Sequence, residues 1–572
     1  MPADWATDGT VGYDFMTETT QLFVDTANAA LFDHLYQRFT GMATRFADLA
    51  YGMKQMIMRR ALASEVAVLA LALDRLTEHE RRTRDFTLNS LRDAMREVIA
   101  CFPIYRTYLT GSADRATQGD RAAIETAIRE ARRRSAYIDP SVFAFIRSAL
   151  LLEEPPDQTE AERVDRIRFA MKFQQLTGPV MAKGIEDTVF YTYNRMTSLN
   201  EVGGDPAIFG QSAETIHAHF ALRRDAWPNA MLSSSTHDTK RSEDVRARIS
   251  ALSELPRDWR AAINRWSRLN RKHRSRVEGA AAPTRNDEYL LYQTLLCAWP
   301  IGLDQPDVAF QDRILAYMDK AIREAQVNTS WTNPNEAYDS ATTQFIRAIL
   351  DPKQSREFLE DFAAMRSRVC RVGMFTSLAQ QLLKLTAPGV PDIYQGTELW
   401  DFSLVDPDNR RPVDYPVRIR QLRALGRRKS TPRLADDLTV AAEDGRIKLY
   451  LTATALAFRA EQAHLFARGS YQPLDSTGER AGNVFAFARE LDGSQNVVIV
   501  PRLVDSLLRG GANAPIGSDV WGNTMVHLPE PDGEVRYRDL FTGTEIAAQD
   551  SIGVADALAH FPVAYLIRTD GK

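Results

Sequence analysis

A run of small and apolar residues, Ala230 to Ser235, passes into the polar turn of Thr236, His237, Asp238 and Thr239 and then into the charged stretch Lys240 to Asp244. A strand, a short polar loop and a helix in that order form the repeating unit of a (β/α) barrel, whose reactive side chains sit at the carboxyl ends of the strands. The segment therefore predicts a barrel unit with Asp238 at its mouth. Ser242 predicts a helix cap, Glu243 and Asp244 suit the positive end of the helix dipole, and Val245, Ile249 and Leu252 supply the buried face.

Two further stretches mix charged, polar and aromatic residues in the same way. From Gly178 to Arg195 the sequence reads GPVMAKGIEDTVFYTYNR, followed by LNEVGGDP up to Pro206, which crowds Lys183, Glu186, Asp187, Tyr191, Tyr193 and Arg195 into a glycine-bracketed segment. From Ala387 to Tyr415 it reads APGVPDIYQGTELWDFSLVDPDNRRPVDY, with a short apolar strand ending at Tyr394 and with Gln395, Glu398, Trp400 and Asp401 just beyond. A pyranose offers hydroxyls to charged groups and an apolar face to rings, so this mixture predicts a carbohydrate ligand. Asp406, Asn409, Arg410 and Arg411 are read as either sugar contacts or caps and ion pairs within a proline-bounded loop. Lys183, Lys240 and Arg241 flank the expected mouth.

Thr19 to Ala100 is helical in grain, with Leu22, Phe23, Leu31, Leu35 and Phe39 near the helical period, and the pattern continues to about residue 170. Met171 to Arg195 and Ala230 to His237 are candidate strands, separated by a helix around His217 to Arg224. From about Pro256 to Leu385 the pattern is again helical, and Trp259, Trp266, Trp299 and Trp331 are expected in its core. Beyond Pro416, Ile447 to Leu451, Val484 to Ala488, Asn496 to Val500 and Val563 to Ile567 read as short strands parted by Gly, Asp and Asn, the pattern of an antiparallel sandwich.

A formal net charge of −4 argues against a nucleic-acid partner, which calls for a basic surface. Arg132 to Arg134 read as a solvated helix face. Cys101, Cys297 and Cys370 are widely separated and lack CxxC spacing, as in a reducing compartment. His217 and His219 have no Cys or carboxylate neighbours at ligand spacing and read as packing residues, so neither a metal nor a cofactor is expected. The polar, acidic start and the lack of a long apolar run predict no export signal and no membrane span, hence a cytoplasmic protein.

The ordered segments DGTVGYDF (Asp8 to Phe15), CFPIYRTY (Cys101 to Tyr108), MAKGIEDT, NEVGGDP, STHDTKRSED and GVPDIYQGTELWDFSLVDPDNRRPVDY resemble the maltooligosyl trehalose synthases, a branch of the α-amylase family (glycoside hydrolase family 13). The resemblance implies an α/β fold: the carboxyl-terminal portion of a (β/α)8 TIM barrel with large helical insertions, followed by an all-β sandwich. It divides the chain into a helical insertion (1–170), barrel strands 6 and 7 with their loops (171–245), a second helical insertion (246–385), the last barrel strand (386–430) and the sandwich (431–572).

It also implies a reaction, an intramolecular transglucosylation that turns the reducing-end α-1,4 bond of a maltooligosaccharide into an α,α-1,1 bond. Such a retaining site pairs a nucleophilic carboxylate with an acid/base. Asp238 would be the third, transition-state-stabilising carboxylate, with His237 donating to a nearby hydroxyl. Lys183, Glu186, Asp187, Tyr191, Arg195, Lys240, Arg241, Tyr394, Gln395, Glu398, Asp406, Asn409 and Arg410 are the implied substrate contacts. No segment of the sequence reads like the family's nucleophile motif, and the adjacent Glu186 and Asp187 point apart and make a poor substitute pair. The resemblance therefore implies a chain that works with an amino-terminal half supplied by another chain and, in its pathway, beside a maltooligosyl trehalose trehalohydrolase. An α-glucan hydrolase or transferase of the same superfamily, and a non-catalytic glucan-binding protein, are the alternatives.

Overall fold

The computed structural model describes residues 5–78, 81–111, 116–153, 158–509, 511–529 and 533–569. Helices predominate, with β-sheets towards the carboxyl end, and the chain divides into two compact units. One comprises Met1–Met42, Asn194–Lys320 and Asn335–Lys572; the other comprises Ala43–Tyr193 and Ala321–Pro334.

Among the described residues, the regular structure of the second unit is helical throughout. Two of its helices start on reciprocal capping boxes, Thr117 with Asp120 and Thr159 with Glu162, which satisfy the first free N–H groups. Leu69, Leu73, Leu91, Met95, Ile124 and Phe143 are among the side chains that close its core. Each such side chain contributes about 1.5–3 kcal/mol relative to exposure. The helical stretch expected over 1–170 falls in both units, Met1–Met42 in the first and the rest within Ala43–Tyr193 of the second.

Met171 to Arg195, expected to supply a strand, is helical: Glu160–Met181 continues as a π-helix over Ala182–Val189 and a last turn at Phe190–Thr192. The aromatic, glycine-bracketed composition favours a strand locally, but the capped helix before it propagates through the segment because its apolar residues are buried in the helical core. Trp331 is also not a core residue; it is 52% exposed, with the Arg323 guanidinium 5.0 Å over its ring.

In the first unit, the strand Met231–Leu232 pairs in parallel with Val390–Pro391. Parallel neighbours require a long crossover, and here it contains the helices Glu243–Ala251, Pro256–Leu269, Arg285–Ala298 and Pro352–Thr386. The last of these starts on the Asp351 cap with Pro352 in its first turn and stops at Ala387, where Pro388 disfavours a further helical residue. Trp259, Trp266 and Trp299 are fully buried among these helices, whereas Leu31 in Ala29–Thr40 is half exposed.

The strand expected at Ile447 to Leu451 lies inside the helix Arg446–Glu461, and β-structure of the carboxyl end starts only at Gln472. Six antiparallel strands follow in the spatial order Glu545–Ala548, Val535–Asp539, Ala564–Arg568, Ser494–Pro501, Val484–Leu491 and Gln472–Leu474. Asp492 and Gly493, both at positive φ, make the two-residue turn that fixes the central register, Leu491 opposite Ser494. Phe485, Phe487, Val498 and Tyr565 face the helices. Ala486, Val497, Ile499 and Leu566 face a core shared with the three-stranded sheet of Ser551–Gly553, Met525–His527 and Ser476–Thr477. Among the described residues no helix is long and apolar enough to cross a membrane.

Candidate functional site

The loop that leaves Met231–Leu232 exposes His237 and Asp238, while Ser233, Ser234, Ser235, Thr239 and Lys240 around them are buried. Among the described residues no hydrogen bond or ion pair reaches the Asp238 carboxylate, although its own N–H donates to Thr236 Oγ1 at 3.1 Å. The Tyr13 hydroxyl lies 3.1 Å from the same Thr236 oxygen and brings DGTVGYDF to the loop. A carboxylate held out in this way can accept hydrogen bonds from a ligand without first losing a protein partner.

Three buried side chains hold the loop in shape. Glu201 of NEVGGDP accepts the N–H groups of Lys240 at 2.7 Å and Arg241 at 3.2 Å. Arg246, one turn into the following helix, reaches back to the carbonyls of Ser234 and Arg241 and so ties the two ends of the loop together. Asn409 donates to the carbonyl of His237 at 3.1 Å, with those of Thr236 and Thr239 at 3.4 and 3.5 Å. Glu201 and Arg246 escaped the sequence reading because their partners are distant in sequence or are main-chain atoms, which leave no local pattern.

Beneath the loop lies a group of four buried charges. Glu243 accepts from Ser234 and pairs with Lys448 at 2.7 Å and Lys384 at 3.4 Å; Asp244 pairs with Lys448 at 2.9 Å and accepts from Ser377 and from the Asp401 N–H. Burial alone would raise the Glu243 carboxyl, but Lys384 and Lys448 outweigh it and hold the group well below the usual carboxylate range. Burial lowers Lys384; for Lys448 it is outweighed by Asp244 and Glu243, which raise that lysine further. These acids lie in the first turn of the helix, where its dipole favours them, and serve there as buried anchors. Ser242 occupies the cap position, but its hydroxyl donates to the Asp401 carbonyl and not to its own helix.

The segment after Val390–Pro391 closes over this base. Ser242 N–H donates to Ser403 O, and Arg241 and Leu404 form an antiparallel bridge. Burial raises the Asp401 carboxyl, whose oxygen accepts from Ser403 N–H. Asp408 is clasped by Arg313 through two bonds of 3.0 and 2.9 Å, and Arg313 overcomes the effect of burial and lowers its carboxyl. The Tyr394 hydroxyl, raised by burial, donates to Asn409 O at 3.1 Å.

Several residues expected to meet substrate instead face the protein. Arg241 is 1% exposed and donates to the Tyr317 hydroxyl at 2.8 Å, and the Lys240 side chain is also buried. Arg195 is buried against Asp33 at 2.6 Å and the Pro206 carbonyl, where it braces NEVGGDP. Asn409, placed above, is likewise buried. Glu398 pairs with Arg418 at 2.9 Å, and Asp406 with Arg410 at 3.0 Å, whereas Gln395 is exposed. The buried Arg195 and Arg241 satisfy interior acceptors that would otherwise be stranded, whereas Asp406 and Arg410 remain about half exposed.

Lys183, Glu186, Asp187 and Tyr191 belong to the helical unit. Lys183 and Asp187 form an ion pair at 2.7 Å one turn apart, Glu186 accepts from the Tyr105 hydroxyl of CFPIYRTY, and Tyr191 is buried. A separate groove of about 740 Å³ between Tyr415–Leu425, Arg446–Glu461 and the sheet near Arg538 is lined by none of the candidate site residues.

No family model matches the chain. A Mycobacterium tuberculosis protein described as "Putative maltooligosyl trehalose synthase" is 38% identical over 399 residues, which are 70% of this chain and 45% of that protein. The solved maltooligosyltrehalose synthase of Arthrobacter ramosus superposes with a TM-score of 0.81 at 32% identity, over 100% of this chain and 65% of that one. A crystal structure of a maltooligosyl trehalose synthase gives 0.71 at 28% identity, over 100% of this chain and 64% of that one. The chain spans less than half the length of the curated relative and less than two thirds of either solved structure.

Proposed function

We propose that this chain, a relative of the maltooligosyl trehalose synthases, contributes the third carboxylate and its supporting loops to a (1→4)-α-D-glucan 1-α-D-glucosylmutase. Such an enzyme moves the reducing-end glucose of a maltooligosaccharide from an α-1,4 to an α,α-1,1 linkage without net hydrolysis. The observation that carries the reading is Asp238, an exposed carboxylate on a loop whose main chain is fastened on both sides. The Met231–Leu232 and Val390–Pro391 strands are then neighbouring strands of a (β/α)8 barrel, and the sheets after Gln472 its terminal β-sandwich.

Ionised Asp238 accepts hydrogen bonds from hydroxyls of the sugar at the cleavage point, contacts that strengthen as the ring flattens towards an oxocarbenium ion. His237 donates to a neighbouring hydroxyl, and Gln395 and Arg410 meet the glucan from the facing loop. On this reading the nucleophile and the acid/base come from a complementary segment of the enzyme. A water-poor pocket lets the released glucose turn and attack through its anomeric hydroxyl before water does. A maltooligosyl trehalose trehalohydrolase would consume the product, and three unpaired cysteines suit a cytoplasmic setting.

The test incubates maltohexaose with the chain alone and with the complementary segment of the Mycobacterium relative, following reducing ends and free glucose. Loss of reducing ends without glucose in the mixture, abolished by Asp238→Asn, is the expected result. Release of glucose or shorter chains in place of that loss would overturn the mutase in favour of a hydrolase.

A further inference from the structure

We infer that Asn409 is a positioning residue for Asp238, acting through the main chain of the loop that carries it; the inference rests on the proposed role of Asp238. The carbonyls of Thr236, His237 and Thr239 bracket Asp238 and converge on one buried side-chain nitrogen, the His237 oxygen at 3.1 Å and the other two at 3.4 and 3.5 Å. The Thr236 oxygen also accepts the Thr239 hydroxyl at 3.0 Å, whereas the His237 and Thr239 oxygens draw on the amide nitrogen, a donor that the amide oxygen cannot replace. The position therefore requires the Asn409 nitrogen to face the loop.

The clasp works against a second constraint of opposite polarity. Glu201 accepts the N–H groups that follow, those of Lys240 and Arg241, so the loop presents carbonyls to Asn409 and N–H groups to Glu201. With both edges fastened inward, the Asp238 side chain is left to the outside. Asn409 is itself held: Tyr394 donates to its carbonyl, and the preceding Asp408 is gripped by Arg313 and accepts the Leu404 N–H. A rigid support of this kind fixes a ligand-binding carboxylate more closely than loop packing alone.

Asn409→Asp separates this role from plain packing, since it keeps the shape and replaces the donor by an oxygen. Ionised, that oxygen faces three carbonyls and pushes the loop away; protonated, it donates to one of them and restores the clasp. Burial and the carbonyls raise the pKa of such a carboxyl, so the defect should fade as pH falls. Asn409→Ala removes the donor without adding a charge; its defect should not depend on pH, and it serves if the Asp variant does not fold.

The experiment measures amide hydrogen exchange over residues 234–241 and maltohexaose affinity in the full chain at about pH 7.5 and about pH 5, each variant against wild type at the same pH. Expected for Asn409→Asp are faster exchange and affinity weaker by about tenfold at the higher pH, both returning towards wild type at the lower one. Wild-type exchange in both variants at both pH values overturns the clasp, whatever the sugar does. Wild-type affinity that ignores Asp238→Asn overturns the role proposed for Asp238 and leaves the exchange result to decide the clasp.

Discussion

Lys448 Nζ stands 2.9 Å from both carboxylate oxygens of Asp244, and neither residue is exposed to solvent. The lysine comes from the helix Arg446–Glu461 and the aspartate from the helix that begins just after the Asp238 loop, so one ion pair joins the carboxyl-terminal helices to the base of the candidate site. Replacing a buried pair by apolar groups can be neutral, but removing one partner leaves the other charge without compensation. Lys448→Met should therefore cost about 3–5 kcal/mol, read from urea unfolding at neutral pH. A loss below about 1 kcal/mol would mean that Lys384 alone neutralises the two acids.

Arg195 distinguishes support from substrate contact. Its guanidinium pairs with Asp33, donates to the Pro206 carbonyl and lies 4.9 Å over the Phe209 ring. Lysine cannot reproduce that planar fork. Arg195→Lys should lower stability by about 2–3 kcal/mol while the folded fraction binds maltohexaose as wild type does. Calorimetric binding beside a thermal melt checks this, and lost affinity at unchanged stability would return Arg195 to the substrate contacts.

The His217 ring is stacked on Phe485 with centroids 4.0 Å apart, its Nδ1 is 2.6 Å from the Tyr471 hydroxyl, and burial lowers its pKa to about 4. Because the folded pKa lies below the unfolded value of about 6.5, the unfolded chain takes up the proton first as pH falls. The stabilising contribution of neutral His217 is complete above about pH 6.5 and is lost on the way down to about pH 4, at no more than about 1.4 kcal/mol per pH unit. His217→Gln should flatten that slope in urea unfolding at about pH 7 and 5.

What the sequence disclosed was local. The order of apolar run, polar turn and charged helix placed Asp238 correctly on an exposed loop after a strand, and the runs Val484 to Ala488 and Asn496 to Val500 fall within strands. The misreadings arose where tertiary packing overrode a local pattern. In Ile447 to Leu451 apolar residues alternate with Lys448 and Tyr450, which mimics a strand. The segment is a helix buried all round at its start, where Lys448 meets Asp244 and the Tyr450 hydroxyl donates to the Phe541 carbonyl and bonds with the Ser430 hydroxyl. Arg241 and Asn409 were legible as polar groups near a site, but not as groups turned inward, because their partners Tyr317 and the His237 carbonyl are far away in the chain.

Gly12 tests how closely DGTVGYDF must approach the strand that precedes Asp238. Its φ of +95° lies in the region that side chains disfavour, and a Cβ there would stand 2.4 Å from Ser233 N, a main-chain atom that cannot swing aside. The same approach lets Met231 N–H donate to the Thr10 carbonyl and Ser233 donate to the Val11 carbonyl, which fastens the segment along the strand. Gly12→Ala must push the two apart, break those bonds and carry Tyr13 away from Thr236. The expected result is a loss of about 2–4 kcal/mol from strain and unmade hydrogen bonds, with faster amide exchange spreading from residues 10–13 into 231–238. An alanine variant of wild-type stability would show that the segment can lift from the strand at no cost, and that Tyr13 takes no part in holding the Asp238 loop.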